Sequence, residues 1–415
     1  MPMILDSPTS SEKFVPLDER HQRRKQHHDA DIVIIGAGVS GCAMAVAFGN
    51  AGRSVLLLER SLKEPDRIVG ELLQPGGVRA LEKLGIAECL QGIDAIPVHG
   101  YEVIYYGKPV EIPYPPNAVD EKGEKPRGMS FHHGRFIQKL RAAAMRNPNV
   151  TVVETTVNSL IKNGWTGQIL GAECTTRGEK DYYFGTLTVV CDGHSSKLRK
   201  GFTPYTPKAR SKFYGIELID AKLPRQFHGH VILGAGSPSL LYQIGTHETR
   251  ALIDVPDNTP SASAAEGGIR NHLRKVVLPS LPKCVQPAFD DAIEGQVRSM
   301  QNCWLPPTTN KTPGMIIIGD AMNMRHPLTG GGMTVALTDV VLLSELLSPE
   351  QVPRLENTKL VLKQMQTFHW RRKNLTAVIN ILAQALYSLF AADGKFSTRV
   401  APFFNDAYES RRSLS

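Results

Sequence analysis

The chain has 415 residues, 41% hydrophobic and 21% charged, a size and balance that describe an ordinary soluble or peripheral globular protein of two or three domains. Its formal net charge is +8, but the excess lies in local clusters, and no nucleic-acid-binding surface is read from it. The six cysteines (Cys42, Cys89, Cys174, Cys191, Cys284, Cys303) have no CxxC and no metal-ligand spacing, which argues against a disulfide framework and fits a reducing compartment.

Residues 1–28 read as a disordered basic tail; the block RHQRRKQHH at 20–28 is either solvated or a contact for an anionic membrane surface. No signal peptide is expected ahead of it. Next come an Ile/Val-rich strand, Asp31 to Ile35, then Gly36-Ala37-Gly38-Val39-Ser40-Gly41, an Ala-rich helix, and a second strand, Ser54 to Leu58, ending in Glu59. This is a βαβ unit with a dinucleotide fingerprint at its first turn. Gly36 permits the tight turn, Gly38 lets the backbone approach a pyrophosphate, and Gly41 lets helix and strand pack. The helix N-terminus offers free N–H groups and a positive dipole end to phosphates. Glu59 is placed to accept hydrogen bonds from two ribose hydroxyls.

The loop that follows carries Arg67 and Glu71, and Arg67 there meets either a phosphate or flavin edge or an ordinary surface ion partner. A helix is predicted from the Pro75-Gly76-Gly77 break to Gly85. Tyr101 to Tyr106 and Val110 to Ile112 read as strands of an excursion that ends before residue 128. A helix from Arg135 to Met145 opens with a cation against the dipole preference, which suggests an anionic partner for Arg135; His132 and His133 are read as structural. A strand at Val150 to Val153 and a hairpin through Gly164 and Gly167 lead to a buried strand, Leu187 to Cys191. The Asp192-Gly193 that ends it, with Lys197, Arg199 and Lys200 behind, is either a nucleotide-facing loop or a plain turn. Residues 203–305 read as a sheet-rich unit (Phe213 to Ile219, Val231 to Leu233, Leu240 to Ile244, Ala251 to Val255) with a helix from Gly268 to Val277. It shows no catalytic triad or metal box, so its expected task is to wall a pocket.

A second cofactor-facing site is read at Met315-Ile316-Ile317-Ile318-Gly319-Asp320, followed by Gly330-Gly331-Gly332-Met333 and a helix through Leu347. The strand delivers Asp320 to its carboxyl end, where open α/β sheets bind ligands, and that carboxylate suits the hydroxyls of a ribityl chain. Three glycines admit a flat ring, and the next helix points its positive end at N1 and O2 of a reduced flavin. Two such sites about 280 residues apart favour FAD over NAD, and no second GxGxxG is present. Electrons are therefore expected from transiently bound NADPH or a separate reductase. Asn374 to Ala392 contains no charged side chain yet is dotted with Asn374, Thr376, Asn380, Gln384 and Ser388. It reads as a helix with a polar stripe, buried against the protein or lying at a membrane interface, with a membrane span less favoured.

The strings RIVGELLQPGGVRALEKLG, IPVHGYEVIYYGKPVEIPYP, HHGRF, GDAMNMRHPLTGGGMTVALTDVVLLSELL and VINILAQALYSLF resemble squalene monooxygenase (squalene epoxidase), fungal members above all, over roughly residues 29–392. The resemblance implies an FAD monooxygenase of the p-hydroxybenzoate hydroxylase-like α/β class. It would convert squalene to (S)-2,3-epoxysqualene at the endoplasmic reticulum membrane, with NADPH electrons arriving through cytochrome P450 reductase. Carried over by position, the implied FAD set is Val39, Ser40, Glu59, Arg60, Arg67, Leu72, Arg135, Asp320 and Met333, beside Gly36, Gly38 and Gly41 of the turn; Tyr101 falls at the active-site tyrosine. Oxygen transfer from the flavin to an alkene needs no protein nucleophile, and none is found.

The expected domains are a Rossmann-like FAD-binding domain (29–98, 128–202, 306–348), an interleaved β-sheet substrate domain (99–127, 203–305) and a C-terminal helical, membrane-associated region (349–415). The family continues beyond its late helix with a long hydrophobic region where this sequence has KFSTRVAPFFNDAYESRRSLS. Peripheral attachment through Asn374 to Phe390 and Arg371-Arg372-Lys373 is therefore expected. Two alternatives stay open at this level: a flavin monooxygenase of another terpenoid or aromatic substrate, and a truncated flavin-binding homologue without turnover.

Overall fold

The computed structural model describes residues 28–115, 125–234 and 238–390, with the backbone alone for 210, 375 and 384–390. Most of the basic block at 20–28 lies outside them. Parallel strands Val150–Glu154, Val55–Glu59, Asp29–Ile35 and Glu179–Val190 lie side by side in that order. The far edge of Glu179–Val190 carries Met315–Ile317, parallel, along its C-terminal end and Ile169–Thr176, antiparallel, along its N-terminal half. Thr156–Lys162 completes the sheet. Ile32, Val33 and Ile34 are all fully buried, which is why this strand is a continuous apolar run and not an alternating one. Its start is latched to the next strand by Asp31, whose carboxylate accepts from the Ser54 N–H at 2.8 Å and from its hydroxyl at 2.9 Å.

The Gly36–Gly41 turn is fixed by close approach. A Cβ added at Gly41 would stand 1.8 Å from the Gly36 carbonyl oxygen. At Gly36, where φ is +104°, it would stand 2.7 Å from the carbonyl oxygen of Cys191. At Gly38 it would meet nothing within 4 Å, so that face of the turn opens on free space. The following helix, Val39–Asn50, is buried along most of its length. It packs against the helices His133–Arg146 and Gly332–Leu346, and Pro75–Lys83 packs on the latter.

A second sheet runs Arg298–Trp304, Lys208–Ile219, Glu248–Pro256, Ser239–Gln243, His228–Leu233, Gly100–Tyr105, Lys108–Pro113; all seven strands fall within 99–127 and 203–305. Alternation assigns its faces. Val103, Val231, Leu240 and Leu252 point to one cluster, while their neighbours Ile104, Ile232, Leu241 and Ile253 join Leu273, Val277 and Phe289 on the other. The helix predicted over Gly268–Val277 is α-helical only to His272 and then widens into a π-type turn. The hairpin predicted through Gly164 and Gly167 joins Thr156–Lys162 to Ile169–Thr176, whereas the small sheet Leu72–Leu73, Gly128–Ser130, Ile96–Val98 was not anticipated.

The long helix Thr358–Phe390 turns Thr376 and Asn380 of its polar stripe inward and leaves Asn374 exposed; the side chains of Gln384 and Ser388 lie outside the described residues. Arg372, Thr376 and Asn380 are buried: Arg372 donates to Asp339 at 2.8 Å and to Asn323 at 3.0 Å, and Asn380 to Asn323 at 3.2 Å. Outward lie Trp370, Val378, Ile381 and Leu382, at 63%, 69%, 68% and 49% exposure. Among the described residues no helix is long and apolar enough to cross a membrane.

Gly41→Ala is expected to cost the apoprotein about 3 kcal/mol, because helix and turn must separate, whereas Gly38→Ala stays within about 1 kcal/mol. Denaturant titration of both variants checks this; equal losses would contradict the packing.

Candidate active site

Three neighbouring parallel strands end at one cleft between the two sheets. Asp29–Ile35 delivers the glycine turn, Glu179–Val190 delivers Cys191 to His194, and Met315–Ile317 delivers Gly319 and Asp320. The two motifs separated so widely in sequence touch: a Cβ on Gly319, where φ is +62°, would stand 2.9 Å from Ser40 Oγ. Gly38, Val39, Ser40, Arg67, Leu72, Tyr101, Asp320 and Met333 all line the cleft. Gly36 and Gly41 sit behind it as packing residues, and Glu59, Arg60 and Arg135 are not among its lining. Glu59 accepts from the Ala37 N–H at 2.8 Å and the Ser61 N–H at 3.2 Å. Each carboxylate oxygen has a second lone pair, so capacity for hydroxyl donors remains. Arg60 is exposed beside it. Arg135 is partly buried and acts on Asp94 and His132.

The triple glycine serves three different approaches. Gly330 faces Gln74, Leu72 and Tyr101, with an added Cβ at 3.3 to 3.5 Å from each. At Gly331 a Cβ would run into Ile379 of the long helix at 2.8 Å, so this glycine admits the helix and not a ring. Gly332 is open except for Arg325. Tyr101 shares a hydrogen-bonded group with Gln74: the Gln74 amide donates to the Tyr101 hydroxyl and to the Thr329 carbonyl at 2.9 Å, and Tyr114 donates to Gln74 Oε1 at 2.8 Å. Desolvation pushes the Tyr101 hydroxyl up to about 12, so it stays protonated. Beyond it Leu72, Leu240, Tyr242, Leu252 and Leu328 give the second-sheet wall an apolar surface.

Several site residues escaped the sequence reading. Arg141 lies in the apolar stripe of its helix with Ile137, Leu140 and Ala144. It donates to the Ala37 carbonyl at 3.1 Å and the Lys63 carbonyl at 2.9 Å, bracing the turn against the next loop. Arg199, buried, donates to the carbonyls of Gly193 at 3.0 Å and Asp320 at 3.1 Å, so it joins two cleft loops and is not a free base. Glu71 is held by Arg250 in a two-pronged pair, both contacts 2.9 Å, with Tyr242 donating at 3.3 Å; this locks the Arg67–Leu72 loop to the second sheet. His133, read as structural, lines the cleft. Its Nδ1 lies 2.8 Å from the Gly70 carbonyl; a carbonyl only accepts, so Nδ1 carries the proton. Burial, helped by Arg67, lowers His133 to about 4, so the ring is neutral.

The donor set fits FAD. Open space lies over Gly38 at a helix N-terminus, and the Asp320 carboxylate is exposed on the cleft wall. His194, which lines the cleft, has its Nε2 buried without a hydrogen-bond partner among the described residues, a polar atom that a bound polar group would satisfy. No cluster of metal ligands occurs among the described residues.

A squalene epoxidase family model matches residues 184–400. The squalene epoxidase of Aspergillus fumigatus is 62% identical over 92% of this chain and 80% of its own; that of Gibberella zeae is 54% identical over 90% and 79%. This chain belongs to the squalene epoxidase family. Its fold is that of the p-hydroxybenzoate hydroxylase-like monooxygenases: the p-nitrophenol 4-monooxygenase of Pseudomonas putida superposes with a TM-score of 0.75 at 16% identity, over 92% of this chain and 94% of that one.

An unfolded imidazole titrates near 6.5 and the buried His133 near 4. His133 therefore stabilises the fold fully above pH 6.5 and progressively less as the pH falls toward 4, a loss on the order of 3 kcal/mol. Denaturation midpoints at pH 7 and 4.5 should differ less in His133→Gln than in the parent; identical differences would overturn the assignment.

Proposed function

We propose that the chain is an FAD-dependent squalene epoxidase, forming (S)-2,3-epoxysqualene from squalene and O2 with electrons drawn from NADPH through cytochrome P450 reductase. The observation that carries this is the cleft itself, where the glycine turn and the Gly319-Asp320 corner meet beneath an apolar wall. When bound, FAD supplies the activation of oxygen. The protein's residues do the rest. Val39 and Ser40 offer the helix N-terminus to the pyrophosphate, and Glu59 and Arg60 lie where the adenosine end would extend. Asp320 takes the ribityl hydroxyls; Arg67, Leu72, Arg135 and Met333 complete the cofactor set. Tyr101, held by Gln74, stands where the polar corner gives way to the apolar wall. A hydrocarbon placed along that wall is kept from water and oriented by shape alone, since it has nothing to hydrogen-bond.

The proposed site of action is the endoplasmic reticulum membrane, which squalene requires as its solvent, with the protein bound peripherally. Trp370, Val378, Ile381 and Leu382 form an exposed apolar ridge, and Arg371 and Lys373 are exposed beside Trp370, with the Lys373 ammonium 5.1 Å from the indole centroid. Apolar insertion with flanking cations is the chemistry of an anionic bilayer surface.

Purified protein should bind FAD and give the epoxide with NADPH, the reductase and detergent-dispersed squalene; colourless protein, or yellow protein without epoxide, would sink the reading. Tyr101→Phe should slow turnover about tenfold, one hydrogen bond's worth, with FAD affinity unchanged. The protein should also float with phosphatidylserine vesicles, and Ile381→Asp should lose that attachment while keeping its flavin.

A further inference from the structure

Arg325 is buried, lies between Asp320 and the triple glycine, and lines the cleft. Its Nε donates to Asn380 Oδ1 at 2.6 Å and its Nη2 to Asn323 Oδ1 at 2.6 Å. Nη1 has no hydrogen bond among the described residues and lies beside Gly332, where an added Cβ would stand 3.8 Å away. Gly332 is also the first residue of the helix Gly332–Leu346, so the guanidinium and a helix N-terminus meet at one corner of the cleft.

Among the described residues no carboxylate touches the Arg325 guanidinium. Arg372, the other cation of the cluster, is paired with Asp339 at 2.8 Å. Asp320 favours the Arg325 cation without touching it; Arg372 opposes it and Asp339 supports it. Burial lowers Arg325 only to about 10, so it is cationic at neutral pH. A buried cation whose Nη1 N–H groups are unfilled and which has no carboxylate in contact favours an anion in the space it faces. Asn380, which holds that cation, is on the long helix and not on the cofactor-binding sheet.

We propose that Arg325 is the fixed positive charge that favours the reduced, anionic form of the flavin over the oxidised one, and that Asn380 of the late helix is its positioning residue. This rests on the cleft being the FAD site. Two-electron reduction takes up one proton and leaves a monoanionic ring (FAD + 2e⁻ + H⁺ → FADH⁻), and a neighbouring cation stabilises only the product side.

The test uses full-length, FAD-loaded protein, titrated anaerobically with dithionite against indicator dyes, with the affinity for oxidised FAD measured separately. Arg325→Gln should lose about tenfold in its preference for reduced over oxidised flavin, a midpoint about 30 mV more negative for a two-electron couple, while oxidised FAD binds within threefold of the parent. Arg325→Lys should restore most of the shift, and Asn380→Ala should move the preference at least threefold in the same direction. Midpoints of Arg325→Gln and Asn380→Ala equal to the parent's would overturn the proposal. So would equal weakening of both redox forms, which would place Arg325 on the pyrophosphate. If Arg325→Gln does not fold, Asn380→Ala alone decides. A parent that refuses FAD removes the functional reading as well, whereas a yellow parent with unshifted variants removes only this inference.

Discussion

Everything in this molecule hangs on chain segments approaching one another more closely than a side chain allows. The Gly36–Gly41 turn lies on its own carbonyl and on that of Cys191, and Gly319 lies on Ser40. These contacts bring the ends of three parallel strands into one small region, so that free helical N–H groups, an exposed carboxylate and two loops face the same space. The cleft is not hollowed out of a finished core. It is what remains when backbones pack this tightly on one side and a separate sheet stands opposite.

The opposing wall is tied to the first unit by buried polar contacts, because apolar packing alone would leave its registration loose. Glu71 with Arg250 makes that tie, fixing the loop under the second sheet; within the first unit itself, Arg199 joins the Gly193 and Asp320 loops and Arg141 braces the turn. Removing one partner of the Glu71–Arg250 pair leaves the other charged and dry, which typically costs about 3–5 kcal/mol. These ties serve geometry more than stability: they set where the polar corner stops and the hydrocarbon-like wall begins.

The sequence made the two cofactor motifs and the two-sheet plan legible because both are written in short-range patterns. The glycine spacing, the Ile/Val run before it and the period-two strands of the second sheet each reflect a local backbone requirement. What stayed hidden was long-range pairing. Glu71 could be seen in a loop, but its partner Arg250 is 179 residues away. The reading of Gly331 as room for a ring missed that Ile379 needs the same space. Arg141 did leave a signal, an arginine inside an apolar stripe, and so did Thr376 and Asn380, polar residues at helical spacing whose direction only tertiary packing decides.

The inner side of the late helix carries an ion pair and amide contacts beside buried Val361, Met365 and Phe368, and Trp370, Val378, Ile381 and Leu382 present further hydrocarbon outward. Electrostatic attraction strengthens as the surrounding dielectric falls, so moving the outer ridge from water into an oily phase tightens the helix's grip on the cofactor corner instead of loosening it. The anchorage is insensitive to a change of solvent that would dissolve a helix held only by greasy contacts.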